Sequence, residues 1–448
     1  MNKSMTEGNA FKKILLFMIP LALGSIFQQA YNLADAAIVG QTLGADALAA
    51  VGVSSSVQFL VLGFCTGSAQ GFTIPIATAF GAKKENDIKQ YFYIGFILLI
   101  AIAVIVTTGC TILTKQILEI LKTPTNIMTN SYWYLFIIFL GIPFTLLYNY
   151  LAAVLRSIGD SKTPFLFLAF SSVLNIGLDF FCIVNLNWGV PGAAIATVFS
   201  QGVSSFLCLL LIHFKFPLLH TTSETKKWDK EMALHMLNMG VPMGLQFSIT
   251  AIGSMMMQAS NNALGSAYVS ALAAGQKINN FAMCPFEALG ASISTFISQN
   301  LGAKNKNRIY EGLKVGTIYA LIYSVIAGLI LVFCGYYLGM LFVSSSEIEV
   351  LTYTSQYLKY VGVCYALLGL LYVYRMSTQG IGESRLAIQA GVLEMIARTG
   401  ASILIVSKIG YTGICIEDPL AWVFADIYII PICFYAIKKA LIRYEIYD

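Results

Sequence analysis

Apolar stretches long enough to cross a lipid bilayer recur along this chain, and they leave it few folds. They fall at about residues 14–40, 47–76, 91–114, 131–153, 164–186 and 191–213, and again at 237–262, 267–299, 313–342, 353–374, 386–407 and 413–437. A hydrocarbon core of ~30 Å is crossed by about 20 apolar residues in helical form. Inside lipid every backbone N–H and C=O must be satisfied internally, which leaves helices and closed barrels; runs this long are helices. The expected fold is an all-α polytopic membrane protein of twelve transmembrane helices. Only 11% of the residues are charged, against about 25% in a soluble domain, so the net charge of +5 is assigned to topology and not to nucleic acid.

The basic residues set that topology through the positive-inside rule. With the N-terminus in the cytoplasm, 21 of the 27 Lys and Arg fall in cytoplasmic segments, from Lys3, Lys12 and Lys13 through Lys83, Lys84, Arg375 and Arg385 to Lys438, Lys439 and Arg443. Lys115, Lys122 and Lys408 fall in outer loops, and Lys277 and Arg398 lie within helices. Both termini are therefore expected in the cytoplasm. The opening MNKSMTEGNAFKK is polar and basic and reads as no cleavable signal. Nine cysteines are scattered singly, without a CxxC pair, and read as small packing residues with no metal site or disulfide framework.

The chain is doubled. FGAKKENDI at 80–88 returns as LGAKNKNRI at 301–309, an offset of 221, and IGDSK at 158–162 returns as IGESR at 381–385, an offset of 223. Pro20, early in the first helix, matches Pro242, early in the seventh, at 222. Six helices per repeat give both repeats the same orientation, the parallel-repeat plan of some transporters. The expected division is an N-terminal lobe at 1–213, a cytoplasmic linker at 214–236 and a C-terminal lobe at 237–448, the lobes flanking a central cleft. The linker stretch TKKWDKEMALHML reads as an amphipathic helix on the membrane surface.

Polar residues inside the spans mark function, because a centred acid costs on the order of 2.5–3.5 kcal/mol to insert. Helix 1 carries Gln28, Asn32 and Asp35 on roughly one face, with Pro20 able to bend it near its entry. Helix 5 carries Asn175 and Asp179 one turn apart, and helix 6 carries Thr197. No Lys or Arg lies within the first six spans to balance the two acids. Counted along their helices, Asp35, Asp179 and Thr197 reach a common depth in the outer half of the membrane. Two carboxylates, an amide and a hydroxyl at one depth could hold an exchangeable proton or Na⁺. In the second lobe, Glu394 and Arg398 are spaced for a structural ion pair, Asp426 is expected to pair with Arg398, and Glu287 could face the cleft and attract a cationic substrate.

These residues resemble a family. The six-plus-six repeat, the strings QQAYNLADAAIVG and LGADALAAVG, the GAK loops and LRSIGDSKTP are similar to the multidrug and toxic compound extrusion (MATE) transporters across essentially the whole chain. By that resemblance Asp35, Asn175, Asp179 and Thr197 occupy the cation-site positions of the DinF-like prokaryotic branch. Gln28 and Asn149 stand at its secondary polar positions, and Gln28, Asn32, Asn149 and Glu287 are the candidates for substrate contact. The other bacterial branch places coupling acids on helices 7 and 10; here helix 7 offers Gln258 and helix 10 no acid. The family implies a monomeric cell-membrane antiporter: a cation, H⁺ or Na⁺, enters as amphipathic, often cationic compounds leave, and no cofactor is required. A lipid-linked saccharide flippase of the same superfamily is the competing reading, disfavoured because the unpaired charges of the first lobe are acidic. An enzyme is disfavoured because HExxH, GxSxG and P-loop motifs are lacking.

Overall fold

Twelve helical segments carry the chain in the computed structural model, which describes residues 4–446; Lys3, used above in the charge count, lies outside them. They are α1 (Ala10–Leu43), α2 (Ala45–Phe72, resuming after Thr73 as Ile74–Gly81), α3 (Glu85–Ile120), α4 (arms Thr125–Leu140 and Ile142–Ser157), α5 (Lys162–Phe180) and α6 (Gly189–Lys215). The second series is α7 (Lys230–Asn262), α8 (Ser266–Gly302), α9 (Lys306–Gly339), α10 (arms Ile348–Val363 and Tyr365–Gly380), α11 (Ser384–Ala401) and α12 (Tyr411–Arg443). Among the described residues, nine of these are long and apolar enough to cross a membrane unaided. α4 and α10 join them if each bent pair is one span, the bends being 46° and 53°. At the α4 bend, Gly141 is followed by Pro143 in the first turn of the second arm, where a missing N–H costs nothing. α7 has spanning length but carries Lys230, Glu231, Gln246, Gln258 and Asn261 along it.

The repeat is visible in the backbone. Lys83 and Lys304 both take positive φ (57° and 55°) at the ends of the GAK helices. Their bonds match: Lys83 N–H donates to Phe80 O and Lys84 N–H to Ala79 O, while Lys304 N–H donates to Leu301 O and Asn305 N–H to Asn300 O. That is the closing pattern of a helix capped by a left-handed residue. Both α5 and α11 end in a π-helical turn, Phe181–Asn185 and Ser402–Val406. Gly44 and Gly265 turn α1 into α2 and α7 into α8 at φ 88° and 126°, a region that a side chain would strain.

Two compact units emerge, and their edges differ from the sequence repeat at one place in each half. One unit is built on Leu23–Gly244; the other joins Met5–Ala22 to the chain from Leu245 on. α1 and α7 are thus each divided, two residues beyond Pro20 and Pro242. In the second unit Ala10, Ile14 and Phe17 of α1 are buried in the same core as Leu289 and Phe296 of α8. The segment ahead of α1 is tied there too: Met5 N–H donates to Gln299 Oε1 (2.8 Å), and Arg308 donates to the Met5 and Gly8 carbonyls at 2.9 and 2.8 Å. In the first unit the opening of α7 packs on α2, closely enough that a Cβ on Gly71 would lie 2.5 Å from Gly240 Cα.

This packing corrects the linker. No separate surface helix spans TKKWDKEMALHML; the chain is irregular through Asp229 and then enters α7. Asp229 caps that helix, accepting from Met232 N–H at 2.9 Å, and Ala233 and Met236 are buried in the core of the first unit.

Candidate functional site

α1, α5 and α6 bring four of the polar residues together in the first unit. Asp179 lies in the last turn of α5, just before the π-helical turn, and is fully buried. Trp188 N–H donates to Cys182 O, and Gly189 (φ 61°) turns the chain back as α6, so Thr197 comes up beside Asn175. The Asn175 amide bridges the two helices. With its nitrogen toward Asp179 it donates to Oδ2 at 3.2 Å, while its oxygen accepts from Thr197 N–H (3.2 Å) and hydroxyl (3.3 Å); this orientation satisfies every partner.

Asp35 completes the group. Its carboxyl and that of Asp179 lie within hydrogen-bonding reach of each other, and both residues are buried. Asp35 Oδ1 and Asp179 Oδ1 have no hydrogen-bond partner. Tyr134, beside both acids, belongs to a buried apolar cluster with Ile38, Ile183, Val190 and Ala193. Two carboxyl groups facing each other in such surroundings repel if both are charged, whereas a single proton turns the contact into a hydrogen bond.

Three neighbours escaped the sequence reading. Tyr31 and Tyr134 lie within electrostatic reach of both carboxyls, and Gln58 on α2 lies beside the Tyr134 hydroxyl. Tyr31 could have been found, since it stands one turn before Asp35 on the same face. Tyr134 and Gln58 come from distant segments without any local signal.

Other candidates lie elsewhere. Gln28 and Asn32 are exposed while Asp35 is buried, so a shared angular face is not a shared environment: neighbouring helices cover α1 at Asp35 and leave the preceding turns open. Asn149 donates to Thr145 O within its own helix (2.9 Å). Glu287 is exposed on α8 of the second unit. Pro20 is buried in α1.

The second unit holds a different cluster. Arg375, counted above in a cytoplasmic loop, is buried inside the second arm of α10 and bonds Glu394 at 2.6 Å. Glu394 is 3.7 Å from Arg398, as its spacing suggested, but Arg398 makes its shorter bond to Asp418 (3.0 Å), which also accepts from Tyr357 (2.9 Å). The expected Asp426–Arg398 pair is not formed; neither carboxylate oxygen of Asp426 has a hydrogen-bond partner. Asp418 takes Arg398 because it lies two turns nearer the start of α12, at the level of Arg398 on α11. Glu417 accepts from Ser402 (2.8 Å).

Comparison with known proteins identifies the scaffold. The MatE family model matches residues 20–181 and 242–399. The probable multidrug resistance protein YpnP of Bacillus subtilis is 31% identical over 429 residues, covering 94% of each chain. A MATE transporter crystallised in complex with MaL6 superposes with a TM-score of 0.92 at 21% identity, over 98% of this chain and 99% of that one. An outward-facing multidrug resistance MATE family transporter of the MOP superfamily gives 0.92 at 20% identity, covering 98% of each.

Proposed function

The chain belongs to the MatE family of multidrug efflux transporters, and from that premise we propose that it is a cation-coupled antiporter. In this reading H⁺ or Na⁺ moves inward through the Asp35–Asn175–Asp179–Thr197 site while amphipathic, often cationic organic compounds move out by alternating access. The observation that carries it is the Asp35–Asp179 contact: two buried carboxyls within hydrogen-bonding reach, each with an oxygen that lacks a partner. A group of this kind is stable with a bound cation and strained without one, so its occupancy can bias a helix. α1 is the helix to bias, because it passes from one compact unit to the other two residues beyond Pro20. The membrane potential adds about 2.3 kcal/mol per charge per 100 mV to an inward cation. The flippase alternative calls for free cationic side chains, whereas Arg375 and Arg398 are each held by a carboxylate and Lys277 lies over the Phe342 ring.

The protein acts as a monomer in the cell membrane with both termini cytoplasmic. Single cysteines at positions 84 and 305 should label from the cytoplasm and one at 44 from outside; opposite sides for the two GAK loops would end the parallel-repeat topology. Purified protein in liposomes should move a fluorescent organic cation against an imposed gradient, with pH and Na⁺ gradients applied separately to name the ion. Transport indifferent to both would overturn the coupling.

A further inference from the structure

The charge count of one buried cluster in the second unit does not close. Six ionisable side chains meet there: Arg375 from α10, Glu394 and Arg398 from α11, and Glu417, Asp418 and Asp426 from α12. None is more than 9% exposed. Two guanidinium groups face four carboxylates, and their ion pairs are already assigned. Arg375 is on Glu394, and Arg398 is on Asp418 and more loosely on Glu394. Glu417 keeps the Ser402 hydroxyl on one oxygen and nothing on the other.

Asp426 stands out within this group. It sits near the middle of the 33-residue α12, is 5% exposed, and has no hydrogen bond to either oxygen. Its electrostatic neighbours are Glu394 and Arg375. Arg375 spends one guanidinium nitrogen on Glu394, while its Nε has no acceptor. An ionised carboxylate left in such a place would claim that Nε or carry a large desolvation penalty; Asp426 has not claimed it. A neutral carboxylic acid fits, because it neither repels Glu394 nor competes for Arg375.

From this we infer that the second unit carries a proton-binding site of its own at Asp426, in which the proton decides whether Arg375 is held by Glu394 alone or shared with Asp426. With the proton bound, Arg375 bonds Glu394 as observed. When it leaves, Asp426 becomes a second acceptor for Arg375 beside Glu394, and the Arg375–Glu394–Arg398–Asp418–Tyr357 chain across α10, α11 and α12 must adjust. The assignment is independent of the Asp35–Asp179 reading, since the two groups share no residue.

Infrared difference spectroscopy tests it on the full-length protein in detergent or liposomes, comparing acid with alkaline buffer. A protonated-carboxyl band should be lost from the wild-type spectrum on alkalinisation, and Asp426→Asn should lack that component. Asp426→Glu should restore it at a shifted frequency, and Asp35→Asn and Asp179→Asn should keep it. An Asp426→Asn spectrum that superposes on the wild type would overturn the proposal. So would displacement of the band by Na⁺ at fixed pH, which would make this a Na⁺ site. If Asp426→Asn does not fold, Asp426→Glu carries the test, and an unshifted band in it refutes the assignment.

Discussion

The two units solve the same problem, acids inside a membrane protein, in opposite ways. In the first unit the polar neighbours of Asp35 and Asp179 are amide, hydroxyl and phenol groups, with no basic side chain beside them among the described residues. In the second, Glu394 and Asp418 are locked to arginines. The backbones repeat, down to paired π-helical turns and paired positive-φ residues; the charges do not. With the offset set by Gly189 and Gly410, Thr197 corresponds to Asp418. Offsets taken from Gly44 and Gly265 or from Pro20 and Pro242 place Asp35 opposite Met256 or Met257. Duplication thus supplied two equivalent sets of positions. One set came to hold two acids without a basic partner, the other two acids paired with arginines.

That contrast breaks most sharply at the acids of the first unit. Asp35→Asn and Asp179→Asn should each reduce gradient-driven export to background in proteoliposomes while the protein stays folded and in the membrane; Asp35→Asn exporting at the normal rate would remove the first-unit site. Next comes the pinned charge. Glu394→Gln leaves Arg375 and Arg398 short of a carboxylate, and breaking a buried pair costs on the order of 3–5 kcal/mol. A marked drop in thermal unfolding temperature is expected from the detergent-solubilised variant, with ion coupling retained in whatever remains folded. A third test asks whether the divided α1 moves. Pro20→Ala should slow turnover several-fold with substrate affinity nearly unchanged, measured side by side; unaltered rate and affinity together would show an early-helix proline without a hinge role. The smallest effect is expected at Glu287. Glu287→Gln should weaken binding of an organic cation a few-fold and leave a neutral substrate unaffected, by equilibrium binding to the purified protein.

Much of this was legible along the chain because lipid makes strong local demands. Spans and the intramembrane acids Asp35 and Asp179 follow from residues a few turns apart, and the repeat from motifs that return at a nearly constant offset. Arg375 was misplaced because it sits near the end of an apolar run, five residues before Gly380, where a cytoplasmic loop is the ordinary reading; burial in the core pulls it inside. Asp418 and Glu417 stand in IEDPL, early in the last apolar run, and gave no periodic hint of partners on α10 and α11.

Sequence by itself determined the medium, the number of helices and the acids Asp35 and Asp179 inside the spans, since each depends on composition or spacing within a single segment, and it determined the doubling, since motifs recur at a nearly constant offset. Tertiary structure alone decided the partners. That Asn175 joins Asp179 to Thr197, that Tyr134 lies by the acids, that Arg398 prefers Asp418 to Asp426, and that α1 and α7 are each divided between compact units are facts about different helices. Helical periodicity says which way a side chain points along its own axis. What waits for it there is settled by how neighbouring helices pack and at what height they stand, and no single segment carries that information.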